Sequence, residues 1–394
     1  MSAPTTAPIT SRWRKTLTWL ALVLGLCVLG WQLGRFDARA TVVVGDFVEY
    51  WAAGRLCWQG ENPYALELLA PLQQSAGSSK PRPLLMHNPP WALTLVLPFA
   101  LLDYGPARLA WTLFLLAVLL LSTDLLWHVY AGPPKQRWLA WVLGLFFAPA
   151  LFALNIGQIS PLLLLGLAGF LWFAHREQWF WAGVAATLLT IKPQLVYLLW
   201  PALAFWVVAT RRWQLVGGGI LGVAAGLVLP LLLRPDVIGD YVRASLTHPP
   251  ERWITPTLGA VLRLQWGWDK LWLQFFPPLL GTLLALALYF RCRQRPWRWQ
   301  AQIHGLLFFS LLTTAYSWSH DQILLLAPVI ATIAPLLSRH RYGLLGSALG
   351  GYLLLNLVAF VIHFLELNEL WYIWIAPAWL LWYALLHWQG RDEA

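Results

Sequence analysis

Charge is what this sequence has least of. Asp, Glu, Lys and Arg supply 11% of its 394 residues, against roughly a quarter in soluble domains. With 59% of residues hydrophobic, the chain cannot cover a water-facing surface. Sulfur is scarce too. Cys27 lies inside an apolar run, Cys57 in a polar loop and Cys292 in an Arg-rich connector, so no disulfide framework is readable. No CxxC pair or His-rich spacing offers a metal site. Gly217-Gly218-Gly219 lacks the strand–helix setting and the Lys-Ser/Thr ending of a phosphate loop. GxSxG and HExxH are absent, which argues against acyl hydrolases and zinc proteases. The alternation of a β-barrel is missing as well.

What remains is a succession of apolar runs bounded by Arg, Lys, Gly or Pro, the pattern of an all-α polytopic membrane protein. The formal charge of +10 falls in short clusters between those runs. Such clusters mark cytoplasmic loops rather than a nucleic-acid surface, so no nucleic-acid partner is expected. Many of the 28 Trp sit at span ends, as in an interfacial aromatic belt.

Arg12, Arg14 and Lys15 place the N-terminus in the cytoplasm. The run 16–34 is longer than a signal-peptide core, and Asp37 and Arg39 crowd the would-be cleavage site, so it reads as a retained anchor. Further spans are expected near 108–130, 138–154, 159–174, 179–191, 194–210, 214–233, 271–290, 302–315, 322–337, 343–364 and 371–388. Several are short, which is tolerated where helices line a protected polar cavity. The basic clusters share one side if 88–102, with Pro89, Pro90 and Pro98, forms a re-entrant or interfacial hairpin. The organisation is then a cytoplasmic tail 1–15, one transmembrane domain 16–390 with outer loops 35–107 and 234–270, and a short tail 391–394. It places both termini in the cytoplasm and the polar interruptions on the outer face of the cell membrane.

Those interruptions carry the candidate chemistry. Asp46 and Glu49, with Tyr50 beside them, are three apart and share a face on a short helix. A carboxylate there could act as a general base, or both could be solvated loop acids. His320-Asp321 offers proton handling or hydrogen bonding to a phosphate or sugar, or simply caps a span. Lys192, between two apolar segments, either snorkels to the surface or holds an anion such as a lipid phosphate. Gly157-Gln158 gives close backbone approach and an amide, which helix capping explains equally well. From these features a membrane enzyme is favoured over a non-enzymatic lipid or solute transporter, because no internal repeat is evident. A lipid-linked polymerase is a third reading, disfavoured by the lack of a large late outer loop.

In order along the chain, Asp46-Phe47 with Tyr50-Trp51, Gly60 with Asn62-Pro63-Tyr64, Asn88-Pro89-Pro90, Gly157-Gln158, Lys192-Pro193-Gln194 and Ser319-His320-Asp321 resemble glycosyltransferase family 87 of the GT-C superfamily. The resemblance covers roughly 40–330. His87-Asn88 departs from the usual aromatic before the Pro-Pro pair, and Gln322 follows Asp321 where the pattern varies.

The resemblance implies a GT-C-like bundle of about 10–13 transmembrane or partly inserted helices. It also implies a polyprenyl-phosphate sugar donor and a lipid or cell-envelope glycan acceptor, with no cofactor and no metal. Asp46 and His320 would be catalytic. Glu49, Tyr50, Asn62, Tyr64, Gln158, Lys192, Gln194 and Asp321 would bind substrate.

Overall fold

The computed structural model describes residues 44–250, 253–292 and 297–392. The expected anchor 16–34 and tail 1–15 lie outside the described residues, as do Cys27 and residues 393–394 of the final tail. The described chain is helical, with no strand among its residues.

Five helices are long and apolar enough to cross a bilayer: Tyr104–Val129, Gln214–Leu233, Ser319–Ser338, Tyr342–Phe364 and Glu369–Gln389. A sixth crossing results if Pro134–Leu145 and Ala148–Ile156, bent by 62° to each other, count as one. The bend has a physical cause. Pro149 sits in the first turn after the break, and the Ala148 N–H donates to Asn356 Oδ1 at 2.6 Å instead of to the preceding helix. Shorter apolar helices fill the remainder, including Pro90–Ala100, Ser160–His175, Trp179–Ile191 and Leu199–Thr210. At 1.5 Å per residue, Pro90–Ala100 reaches about 16 Å, half of the roughly 30 Å hydrocarbon core. That length suits a hairpin that does not cross.

Ser319–Ser338 is the most enclosed of the long helices, whereas Gln214–Leu233 is mostly uncovered. Leu232, Leu353, Leu357 and Phe364 project outward at 60–74% exposure. In water such a surface would drive aggregation; against acyl chains it costs nothing. Within the bundle, Gly183 and Gly218 let Trp179–Ala186 and Gln214–Leu233 meet backbone to backbone, since a Cβ on either would collide with a carbonyl opposite.

The breaks in the helices share one location. Ala148–Ile156 ends at Gly157, Trp179–Ala186 degrades through 3₁₀ turns on both sides of Lys192, and Leu326–Ser338 is preceded by the 3₁₀ segment Ser319–Leu325. All three border one cavity of about 910 Å³. The expected outer loops contain helices that the hydropathy pattern did not resolve. Phe47–Trp58 and Leu66–Ser75 lie in the first, Val237–Thr247 and Leu258–Trp266 in the second. Each is shorter than a span and carries polar residues, so none produces a spanning signal.

Candidate active site

The Asp46 wall is assembled from backbone contacts outward. Gly157, at φ 72°, ends Ala148–Ile156 in the left-handed conformation that glycine adopts without strain. A Cβ there would also meet Phe47 Cβ at 2.8 Å. Gly45 packs on the backbone of Ile156 with no room for a side chain. Arg108, 4% exposed, donates to the carbonyls of Leu154 at 3.2 Å and Asn155 at 2.6 Å, satisfying the helix's last acceptors. Trp111 Nε1 donates to the Gly157 carbonyl at 2.8 Å, and Phe47 stacks on Trp111.

These contacts hold the turn carrying Gln158 against the start of the helix Phe47–Trp58. The Gln158 amide is then fixed by its surroundings. Its Oε1 accepts from the Tyr50 hydroxyl and, at 2.9 Å, from the Ile159 N–H. With the oxygen committed, Nε2 donates to Asp46 Oδ2 at 2.9 Å. Asp46 makes no cap bond to its own helix, so its other oxygen is free to face the cavity it lines.

Glu49 lines the same space. Burial pushes its carboxyl well above the usual carboxylate range, and the Asp46 charge pushes it further, against the pull of Lys192 and Lys80. Burial likewise raises the Tyr50 phenol well above its ordinary value, keeping it a neutral donor to Gln158. His87, edge-on to Trp253 at 4.9 Å, is pulled down by burial to about 4 and stays a neutral ring.

Facing this wall is a cluster built on the Lys192–Asp321 ion pair. Lys192 Nζ lies 2.7 Å from Asp321 Oδ1 and 3.4 Å from Ser160 Oγ. The Ser160 hydroxyl donates to the same oxygen at 2.7 Å, while Asp321 Oδ2 accepts from the Trp318 N–H at 3.0 Å. Both Asp321 oxygens are therefore committed. Glu369 holds the adjoining turn, accepting from the Ser319 N–H and hydroxyl, each at 3.1 Å. His320 is 4% exposed and lines the cavity, and its Nε2 has no hydrogen-bond partner, with Asp321 Oδ1 3.6 Å away. A buried imidazole nitrogen without a partner, on a residue that borders a cavity, can donate to or accept from a bound group once one reaches it.

Of the residues singled out from sequence, Asp46, Glu49, Tyr50, Gln158, Lys192, Gln194, His320 and Asp321 border the cavity. Asn62 and Tyr64 do not. Asn62 Oδ1 caps the Tyr64 N–H at 2.9 Å, and the Tyr64 ring packs 5.5 Å from Tyr241, itself a cavity residue. Ser160, Glu369, Lys80 and Arg108 were not singled out. Glu369 had a signal, an acid at the start of an apolar run. Arg108 had a weaker one as an arginine at a span boundary, whereas Ser160 and Lys80 had none. Among the described residues no group of three or more His, Cys, Asp or Glu is arranged to hold a metal ion.

Broken apolar helices around a polar cavity of carboxylates, a lysine and an imidazole define a multispanning membrane protein with polar side chains gathered at its helix breaks. The sequence model of glycosyltransferase family 87 matches residues 87–315, more than half of the chain, and the chain belongs to that family. It is accordingly a membrane glycosyltransferase. No curated protein and no solved structure matches it. The matched region holds Asn88, Gln158, Lys192 and Gln194, while Asp46, Glu49, His320 and Asp321 lie on either side of it.

Proposed function

We propose that this protein moves a sugar from a polyprenyl-phosphate donor to a lipid or cell-envelope glycan acceptor by inverting displacement, with Asp46 as the base. The observation that carries this reading is the convergence of Asp46, Lys192 and His320, from three distant parts of the chain, on one cavity. Support for a lipid donor comes from an apolar groove of about 650 Å³ bordered by Leu203, Val207 and Ile220. The groove meets the cavity at Thr190, Trp200 and Val223, which line both. An isoprenoid chain fits such a surface while its phosphate lies among polar groups.

In the proposed step the acceptor hydroxyl attacks the anomeric carbon and its proton passes to the free oxygen of Asp46. The bond from that carbon to the phosphate oxygen breaks, and polyprenyl phosphate leaves with the electron pair. Lys192 and His320 oppose the charge that builds on the departing phosphate. Glu49, Tyr50, Gln158, Gln194 and Asp321 line the substrate space or orient those groups. Asn62 and Tyr64 act on it from outside, through Tyr241. We place the protein in the cell membrane with both termini cytoplasmic and the cavity on the outer face, following the basic clusters.

Asp46→Asn keeps the side chain's size and removes its proton acceptor. Transfer by the purified variant is expected to fall about 10²–10⁴-fold while the protein still inserts. The readout is mass spectrometry of lipid-linked and envelope glycans with wild type and variant. Near-normal transfer by Asp46→Asn would remove the base from the mechanism.

A further inference from the structure

The helix Val237–Thr247 carries apolar residues on an exposed face as well as on the face it buries. Val237, Asp240 and Ala244 face the protein. Asp240, 3% exposed, accepts from Arg234 Nε at 2.9 Å, and Arg234 Nη1 donates to the Gly60 carbonyl at 3.2 Å, fastening that face to the first polar loop. On the opposite side Ile238, Val242 and Leu246 follow one another at four-residue spacing and are 45%, 48% and 77% exposed. At 100° per residue they form a single stripe turned away from the buried face. Arg243 lies between the two, its side chain 74% exposed and its Nη1 3.9 Å from Asp240 Oδ1.

The position of the helix determines what covers that stripe. It begins just past Leu233, the end of the long apolar helix Gln214–Leu233, and the chain returns to an apolar helix at Trp272–Ala287. The segment between is thus held at the membrane surface at both ends. Its Tyr241 and the following Trp253 line the cavity, so it lies on the side of the bilayer to which the cavity belongs.

We propose that Val237–Thr247 lies in the headgroup–acyl boundary of that leaflet, with Ile238, Val242 and Leu246 among the acyl chains and Arg243 among the phosphates. The occupant of the exposed face is lipid. The helix is then a fixed sill that holds Tyr241 at the depth where a lipid headgroup lies. On the transferase reading above, from which this consequence follows, a membrane-anchored substrate reaches the cavity along the helix without leaving the bilayer.

The test uses the full chain in phosphatidylcholine–phosphatidylglycerol vesicles, with native Cys27, Cys57 and Cys292 replaced by Ala. A polarity-sensitive fluorophore is attached at Leu246→Cys, at Val242→Cys and, as a water reference, at Ser79→Cys in an exposed loop. Leu246 and Val242 make few protein contacts, so either variant suffices if the other folds poorly. For an insertion depth of about 5–10 Å, both labels should emit blue-shifted from the reference. Lipids brominated near the headgroup should quench them more than lipids brominated near the chain end. Emission like the reference with quenching by aqueous iodide, or protection from iodide and bromolipid alike, overturns the proposal. None of these readings depends on sugar transfer, so failure of the transferase mechanism would leave them intact.

Discussion

Removing both sides of the Lys192–Asp321 pair should cost less than the sum of removing each alone. Asp321 is 1% exposed and both of its oxygens accept, one from Lys192 and Ser160, the other from the Trp318 N–H. Asn at this position has one acceptor oxygen. Whichever way the amide turns, its NH₂ must face a donor, either the Lys192 ammonium or the Trp318 N–H. Asp321→Asn therefore leaves a nearly buried cation without its counter-charge and adds a donor–donor contact, for which about 3–5 kcal/mol is expected. Lys192→Met strands the carboxylate and should cost a similar amount. The double variant strands neither charge, so its loss should fall below the sum of the single losses, by about 0.5–3 kcal/mol or more. Denaturation of the four proteins in lipid nanodiscs closes the cycle. Additive losses would show that the two groups do not share a buried interaction, and the account of this wall of the cavity would fail.

Gln158→Glu would put a carboxylate where an amide now donates to Asp46 at 2.9 Å. Like charges at that distance favour protonation, so the acidic limb of the pH–rate profile should move to higher pH; an unmoved limb would separate Gln158 from the base. Glu49 holds its proton more tightly folded than unfolded, so its contribution to stability is complete at low pH. That contribution is lost as pH rises from the ordinary carboxylate range through the raised folded value. Glu49→Gln should flatten the fall of stability across that window, and identical slopes in variant and wild type would refute it. Cysteines introduced at Lys80 and His87, beside the cavity, should react with an impermeant thiol reagent from outside the inner membrane. Labelling only after that membrane is opened would invert the topology.

The helical class was legible because so little charge is spread among so many apolar runs, and a bilayer admits few other structures. The cavity was legible for a related reason. A lysine or histidine bordering an apolar run is costly unless used, and carboxylates and tyrosines beside a bilayer are not needed to build a helix bundle, so Lys192, His320 and Asp46 stood out before any geometry was known. Their partners were not legible. Nothing in Ser160 distinguishes it from an interfacial serine until Lys192 and Asp321 reach it from distant helices. Arg108 resembles a topology-setting arginine, yet it is buried and holds two carbonyls behind Gln158. The helices of the expected outer loops escaped because hydropathy over a spanning window reports length before amphipathicity. Val237–Thr247 is too short for the first, and its exposed stripe Ile238, Val242 and Leu246 stands opposite a buried face that includes the charged Asp240.

The partition of charge within the cavity bears on the mechanism. Lys192 and Asp46 line the same space, and a direct pair between them would engage the carboxylate to which the base role is assigned. The ammonium instead stands 2.7 Å from Asp321, while Asp46 is held by the uncharged amide of Gln158. An amide donor orients a carboxylate with less stabilisation of its charge than an ammonium would give, so it costs less basicity. On the other wall, a donor phosphate reaching Lys192 would share the ammonium with Asp321 rather than with Asp46. The anion that arrives and the base that takes the proton would then draw on different partners. Two acids at unrelated positions in the sequence serve that end better than one, because each can be tuned without disturbing the other.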